Sequence, residues 1–269
     1  MTKLALNNGF KVIGILRPET SKKVKNQSTR LGDLFNNNNV EFIDVDLRDT
    51  TKLQDVIKEF SPVYFAHLAS QSSVQDSFKN KKNTYESNTL VSNNLVDTIE
   101  KYSKETILFF PSSATIYEGY ENTVVNESTP PKPKTVYSIS KLETQNYIQK
   151  KIQTKDLSLN TGIMFSHESP YRNSKFFTKK IIEFLINYKK NNELNIKVGN
   201  LSIERDIGYA PEYVDAIFSI LQNNKKEEYI ISSNTLTKLY NFLNLCLDYL
   251  DIKNEVVISD NNVSYINKD

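Results

Sequence analysis

Residues 106–119 read TILFFPSSATIYEG. The first five are β-prone and almost wholly apolar. No alternation marks a wet face, so they predict a strand buried on both sides. Ser112 and Ser113 follow close behind, at the carboxyl end of the strand, where open parallel sheets hold their ligands. Working outward, the same kind of run recurs at 11–16 (KVIGIL), 41–45 (EFIDV), 63–69 (VYFAHLA) and 158–165 (SLNTGIMF). Helical patterns lie between them. Asp49 stands where it would cap a helix ending near Phe60. Leu90, Val91, Leu95, Val96 and Ile99 mark one face of a helix from Tyr85 to Tyr102. Residues 137–152 read as another. Apolar strands separated by amphipathic helices predict an α/β fold, a Rossmann-like doubly wound parallel sheet with right-handed crossovers.

After Phe165 the pattern loosens. A helix is expected over 175–189 and another over 236–250. The stretch 195–214 carries short apolar pieces with Gly199, Gly208 and Pro211. The expected organisation is a truncated dinucleotide-binding domain over 1–165 and a smaller substrate lobe over 166–269, partly interleaved with the first. The truncation is read from the glycines. There are seven, and none forms GxGxxG or GxxGxxG. The strand, glycine-rich turn and helix N-terminus that cradle a pyrophosphate are therefore not written in the usual way. Leu4–Gly9 reads instead as the close of a helix.

Lys and Arg number 34 against 32 Asp and Glu, for a formal charge of +2. That balance provides no broad field for nucleic acid or an anionic membrane. No apolar stretch approaches the ~20 residues of a membrane helix. Cys246 is the one cysteine. It sits in the apolar pattern of Leu239, Phe242, Leu243 and Leu247 and reads as core. With His67 and His167 it makes no zinc set, and no metal is expected. A cytoplasmic protein follows.

Tyr137 and Lys141 share one helix face, four residues apart. An ammonium beside a phenol favours the phenolate, which lets tyrosine exchange a proton with a sugar hydroxyl. A serine hydroxyl nearby can hold the same oxygen. The pattern alone is weak, because the chain has it four times: Tyr137–Lys141, Tyr147–Lys151, Tyr171–Lys175 and Tyr249–Lys253. Only the first follows a Ser-Ser strand by one crossover.

Further blocks carry a resemblance. HLASQSSV (67–74), FFPSSATIYEG (109–119), VYSISKLE (136–143), GIMFSHESPYRNSKFFTKKI (162–181) and VGNLSIERDIGYAPEYVDA (198–216) come in a characteristic order and spacing. They resemble the extended short-chain dehydrogenase/reductases, and within these the GDP-mannose 4,6-dehydratase family. ILRPET (15–20) and VDLRD (45–49) are similar to that family's basic segment and adenine-holding segment. The similarity runs from about Leu4 to about Phe242.

The resemblance implies a set of roles. Tyr137 would be the general base, with Lys141 its partner and a ribose ligand, and Ser113 would hold the sugar oxygen. Asp46, Leu47, Leu68, Ala69, Ser70, Gln71 and Ser72 would line the cofactor, and His167 and Arg172 would touch it further along. Arg17 would favour the 2′-phosphate of NADP, with NAD as the alternative. Ser166, Asn200 and Arg205 would meet the nucleotide sugar. Three blocks depart from the family pattern. The glycine-rich turn is absent. The stretch after Pro170 reads Tyr-Arg-Asn-Ser-Lys in place of Arg-Arg-Gly-Glu, and Ser166 replaces an asparagine. Thr115 stands where the family carries a glutamate that moves a proton from C5. A threonine hydroxyl does not ionise near neutral pH, so Thr115 is no substitute base. Glu118 is the nearest carboxylate in sequence.

The implied activity is conversion of GDP-mannose to its 4-keto-6-deoxy product through transient hydride transfer at C4. A 4-keto-reductase or 4-epimerase needs only hydride transfer and the tyrosine, so Thr115 leaves both open. An inactive relative acting as a binding protein is the reading from another class. The implied partners are a nucleotide sugar and further copies of the chain, as a homodimer or tetramer.

Overall fold

The computed structural model describes all residues except 20–31, 121–122, 192–196, 199, 253–254, 260–262 and 268–269. Gly199 and Lys253 therefore lie outside the described residues, as does the last residue of 15–20. The chain divides into two compact units. The first comprises 1–164 and 212–231, the second 165–211 and 232–269.

The first unit opens with α1 (Thr2–Asn7), β1 (Val12–Leu16) and β2 (Val40–Asp44). Helix α2 (Thr50–Phe60) begins where expected, since the Asp49 side chain accepts from the Lys52 backbone N–H. β3 (Tyr64–Ala66) is shorter than the apolar run that encodes it. α3 (Val74–Lys79) and α4 (Lys81–Tyr85) follow, then a π-helical turn (Glu86–Leu90) that runs into α5 (Val91–Tyr102). The continuous helix expected from Tyr85 is thus interrupted at its start. β4 (Ile107–Ser113) carries Ser112 and Ser113 inside the strand rather than after it. A 3-10 turn (Ala114–Tyr117), α6 (Val136–Lys155) and β5 (Leu159–Met164) complete the run.

The second unit holds β6 (Ser166–Glu168), α7 (Phe177–Asn191), β7 (Lys197–Val198) and β8 (Glu204–Tyr209). α8 (Ala210–Asn223) and β9 (Glu228–Ile231) return to the first unit. β10 (Leu236–Lys238), α9 (Leu239–Tyr249), β11 (Glu255–Ser259) and β12 (Val263–Asn267) finish the second. α8 was not foreseen. Pro211 sits in its first turn, where a missing N–H costs nothing, but in sequence it reads as a breaker. The first residues of the expected 236–250 helix instead form β10, antiparallel to β8.

The parallel sheet is present in two pieces, β1–β2 and β3–β4–β5–β9. Among the described residues β1 and β3 each have one paired neighbour, and the usual doubly wound order would place a strand between them. Both are accordingly half-buried along their length. β4 and β5 lie in the middle and are buried on both faces. Leu108 and Phe110 point into a core with Leu53, Ile57, Leu95, Ile99 and Ile148. Phe109 points the other way, against Tyr213, Ile217 and Leu221 of α8. Period-two alternation thus feeds two apolar layers. The second unit has its own core of Ile181, Leu185, Leu201, Leu243 and Leu247, with Cys246 packed against it. Burial pushes the Cys246 thiol up to about 11, which suits packing rather than nucleophilic work. Among the described residues no helix is long and apolar enough to cross a membrane.

Candidate active site

α6 starts at a capping box. The Thr135 side chain accepts from the Ser138 N–H, and Ser138 Oγ accepts from the Thr135 N–H. Tyr137 lies inside this box, with Lys141 and Gln145 one and two turns on along the same face. That face meets the end of β4. Lys141 Nζ donates to Pro111 O at 2.9 Å, and Ser112 Oγ donates to Gln145 Oε1 at 2.6 Å. Tyr137 is 8% exposed and Lys141 2%. The Lys141 nitrogen stands 6.0 Å from the centre of the Tyr137 ring and 5.1 Å from that of Phe110. Burial lowers the Lys141 ammonium from 10.5 to about 7. Near neutral pH it can therefore hold or release its proton.

Ser113 Oγ accepts from the Thr115 backbone N–H at 3.3 Å and from the Thr115 hydroxyl at 3.0 Å. The residue in the glutamate's place thus orients the serine. Glu118 is occupied elsewhere. Its Oε1 accepts from the backbone N–H groups of Lys134 and Thr135 and from Ser138 Oγ, each at 2.6 Å. It reaches a sugar only by giving those contacts up.

The other three tyrosine–lysine pairs lack this setting. Tyr147 and Lys151 belong to a network with Asp97 and Glu100 on the first unit's surface. Tyr171 is exposed, and Lys175 lies over Phe176. Tyr249 is 88% exposed.

The opposite flank of α6 is fixed by polar groups that the sequence reading passed over. Asn88, in the π turn, is buried. Its side chain accepts from the Gln71 N–H at 2.8 Å and donates to Gln71 O at 3.1 Å and to Ser140 Oγ at 3.2 Å. One asparagine therefore ties the segment after β3 to α6, beside Lys141. A π turn at such a place is a frequent mark of a functional site. The sequence hint was ESNTL, a polar break at the head of an apolar helix. His67 is buried as expected for packing. Ser92 gives its proton to Asn88 O at 2.6 Å, so His67 Nε2 donates to Ser92 Oγ at 3.0 Å. Burial, aided by the charge of Lys141, lowers the imidazole to about 3.

A nicotinamide dinucleotide is the group these residues would hold, and its two ends fare differently. Leu68, Ala69 and Ser72 are exposed beyond β3, and Gln71 Oε1 is buried without a partner, which leaves a polar atom for a ligand. With Lys141 and Tyr137 alongside, the nicotinamide–ribose end fits. At the adenosine end Leu47 packs against the core. Arg48 forks onto Asp46, with Nε 3.0 and 3.1 Å from its two oxygens and Nη2 at 2.5 Å. That holds the Asp46 carboxyl down at about 2, with the charge of Arg17 helping. Arg17 itself is exposed. Among the described residues nothing cradles the pyrophosphate. Gly9, with φ of 80°, ends a helix instead of starting one. A Cβ on Gly14 would meet the Phe42 ring at 2.5 Å, and one on Gly162 the Phe109 ring at 2.4 Å. These two glycines make room for packing. A cavity of about 320 Å³ lies between β2 and α2, lined by Ile43, Lys52, Val56 and Phe60, and includes none of the site residues.

The remaining predicted residues belong to the second unit. His167 Nδ1 lies 2.9 Å from Phe165 O, and burial lowers its imidazole. Arg172 Nε is 3.3 Å from Glu168 Oε2, with its guanidinium 3.7 Å from the centre of the Phe176 ring. Ser166 is exposed. Asn200 Oδ1 accepts from the Ser202 N–H and hydroxyl, forming a turn. Arg205 is exposed and donates to Glu204 O.

A protein-family model described as GDP-mannose 4,6 dehydratase matches residues 1–268. The Caenorhabditis elegans protein named GDP-mannose 4,6 dehydratase 2 is 27% identical over 273 residues, covering 100% of this chain and 71% of that one. The Dictyostelium discoideum GDP-mannose 4,6 dehydratase is 25% identical over 257 residues, covering 94% and 72%. Among solved structures, the dTDP-glucose 4,6-dehydratase of Bacillus anthracis in complex with NAD superposes with a TM-score of 0.80 at 18% identity, covering 93% of this chain and 76% of that one. The Pseudomonas aeruginosa RMD complexed with NADPH gives 0.75 at 18%, covering 90% and 84%. At that identity the likeness shows the fold.

Proposed function

This chain belongs to the GDP-mannose 4,6-dehydratase family, and from that premise we propose that it oxidises a nucleotide sugar at C4, with GDP-mannose as the substrate and NADP as the cofactor. One observation carries the reading. Of the four tyrosine–lysine pairs, Tyr137–Lys141 is the one buried in both members, and Lys141 is bonded to the strand that ends in Ser113.

The residues then divide the work. Tyr137 takes the proton of the C4 hydroxyl, and Ser113 holds the same oxygen. Lys141 in its ammonium form stabilises the phenolate. Lys141 and the 68–72 segment hold the nicotinamide ribose, and Arg17 receives the 2′-phosphate. The bound nicotinamide supplies a hydride acceptor. Loss of water from C5 and C6 needs a base beyond Tyr137, and Thr115 provides none. A 4-keto-reductase or 4-epimerase is therefore the second reading. It is favoured by the bond from the Thr115 hydroxyl to Ser113 and by the engagement of Glu118 at α6.

Thr115→Glu separates the two. The substitution restores a carboxylate two residues past Ser113, just beyond the strand end. Incubation with GDP-mannose and NADP, followed by chromatography, should show at least about tenfold more 4-keto-6-deoxy product from the variant than from the parent. Equal yields from both, with the cofactor saturating, would refute the role assigned to position 115.

A further inference from the structure

Glu118 offers one oxygen to three donors at the start of α6: the N–H of Lys134, the N–H of the N-cap Thr135, and the hydroxyl of Ser138 in the first turn. It is itself the residue that closes the 3-10 turn starting at Ser113, and Ser113 caps that turn. Between them Ile116 and Tyr117 are buried, at 0% and 5% exposure, so the turn is a fixed spacer. The carboxylate thus spans from the strand end that carries the serine to the helix start that carries the tyrosine. Thr135 and Ser138, its partners, bracket Tyr137 in the chain. Carboxylates are favoured at helix N-termini, and their bonds to backbone N–H are about twice as strong as neutral ones. A second tie runs beside it and does not involve the side chain. Lys132 N donates to Ile116 O at 2.7 Å, and Gly119 N to Lys132 O at 2.9 Å. Gly119 is needed for that approach, since a Cβ there would stand 2.6 Å from the Lys132 carbonyl oxygen.

We propose that Glu118 is a positioning residue: it sets the Tyr137 hydroxyl against Ser113 by clamping the first turn of α6 to the end of β4. This rests on the reading of Tyr137 and Ser113 as the pair that handles the sugar hydroxyl. Glu118 touches no reacting atom in this account. It governs how often Tyr137 is in reach, and a misplacement of about 1 Å can cost about 10² in rate.

The test compares Glu118→Ala and Glu118→Gln with the parent. In Glu118→Ala, kcat should fall ten- to a hundredfold while the KM for GDP-mannose stays within about threefold. Glutamine keeps an oxygen where Oε1 stands, so Glu118→Gln should recover at least a third of the parent kcat. If Glu118 were instead the base that removes the C5 proton, Glu118→Gln would be as inactive as Glu118→Ala, which would overturn the proposal. Amide hydrogen exchange gives a readout without turnover. Lys134, whose N–H is bonded to Glu118, should exchange at least tenfold faster in Glu118→Ala, while Gly119 and Lys132, whose acceptors remain, should not change. Unchanged exchange at Lys134 would also overturn the proposal, whatever the kinetics. If the parent shows no turnover but the exchange pattern appears, the clamp stands and the assignment of function is what fails. Should Glu118→Ala not fold, the Glu118→Gln kinetics decide alone.

Discussion

Replacing Lys141 with methionine should make the protein more stable at pH 6 and remove that advantage by pH 10.5. Lys141 is 2% exposed, and burial lowers its ammonium from 10.5 to about 7. Between those values the unfolded chain holds a proton that the folded chain has released. Stability therefore rises with pH across that window, and the penalty is fully present below pH 7. At about 1.4 kcal/mol per tenfold the penalty is roughly 5 kcal/mol. Methionine fills the slot with a flexible apolar chain. It also leaves Pro111 O without its donor, at about 1–3 kcal/mol. The net gain at pH 6 should be about 2–4 kcal/mol, traded against activity, as happens when a group is buried for function. Urea denaturation followed by circular dichroism at pH 6, 8 and 10.5 measures it. A variant less stable than the parent at pH 6, or a difference that does not change with pH, would refute the reasoning.

Other expectations follow from neighbouring groups. Burial holds His67 down at about 3, so the unfolded chain gains a proton there as pH falls from about 6.5 while the folded chain does not. Stability is lost over that range, and His67→Asn should flatten this acid limb in the same denaturation series. An unchanged limb would show that other groups carry it. NADP should bind no tighter than about 1 µM, near −8 kcal/mol, because the described residues provide no pyrophosphate cradle. Calorimetric titration checks this. Arg17→Ala should weaken NADP several-fold and leave NAD unaffected; equal losses would mean that Arg17 does not read the 2′-phosphate.

Much of the fold could be read in the chain because central parallel strands are buried on both faces. Phe109 and its neighbours have no polar alternation to confuse the pattern, and Asp49 announces its helix. What escaped was local chemistry. Ser112 and Ser113 read as following the strand, yet they continue it opposite Ile163 and Met164. The π turn around Asn88 left only the polar break ESNTL as a trace, because polar residues at a helix start look like a solvated face. Here the side chain of Asn88 is spent on Gln71 and Ser140. The site was legible in part. Spacing alone gave four equal tyrosine–lysine pairs, and the order of strand, serines and helix singled out Tyr137. Nothing in the sequence indicated that Glu118 would turn toward α6, because two of its three partners are backbone groups sixteen and seventeen residues on and the third is a serine hydroxyl twenty residues on.

The central claim is that Tyr137 exchanges the proton of a nucleotide-sugar hydroxyl, and one comparison tests it directly. The parent, Tyr137→Phe and Tyr147→Phe are each incubated with GDP-mannose and saturating NADP, and 4-keto product is quantified by chromatography. The account predicts product from the parent and from Tyr147→Phe, and at least about 10²-fold less from Tyr137→Phe, the usual scale of a lost acid–base group. Equal rates from the parent and Tyr137→Phe, or no keto product from a parent with cofactor demonstrably bound, would contradict it.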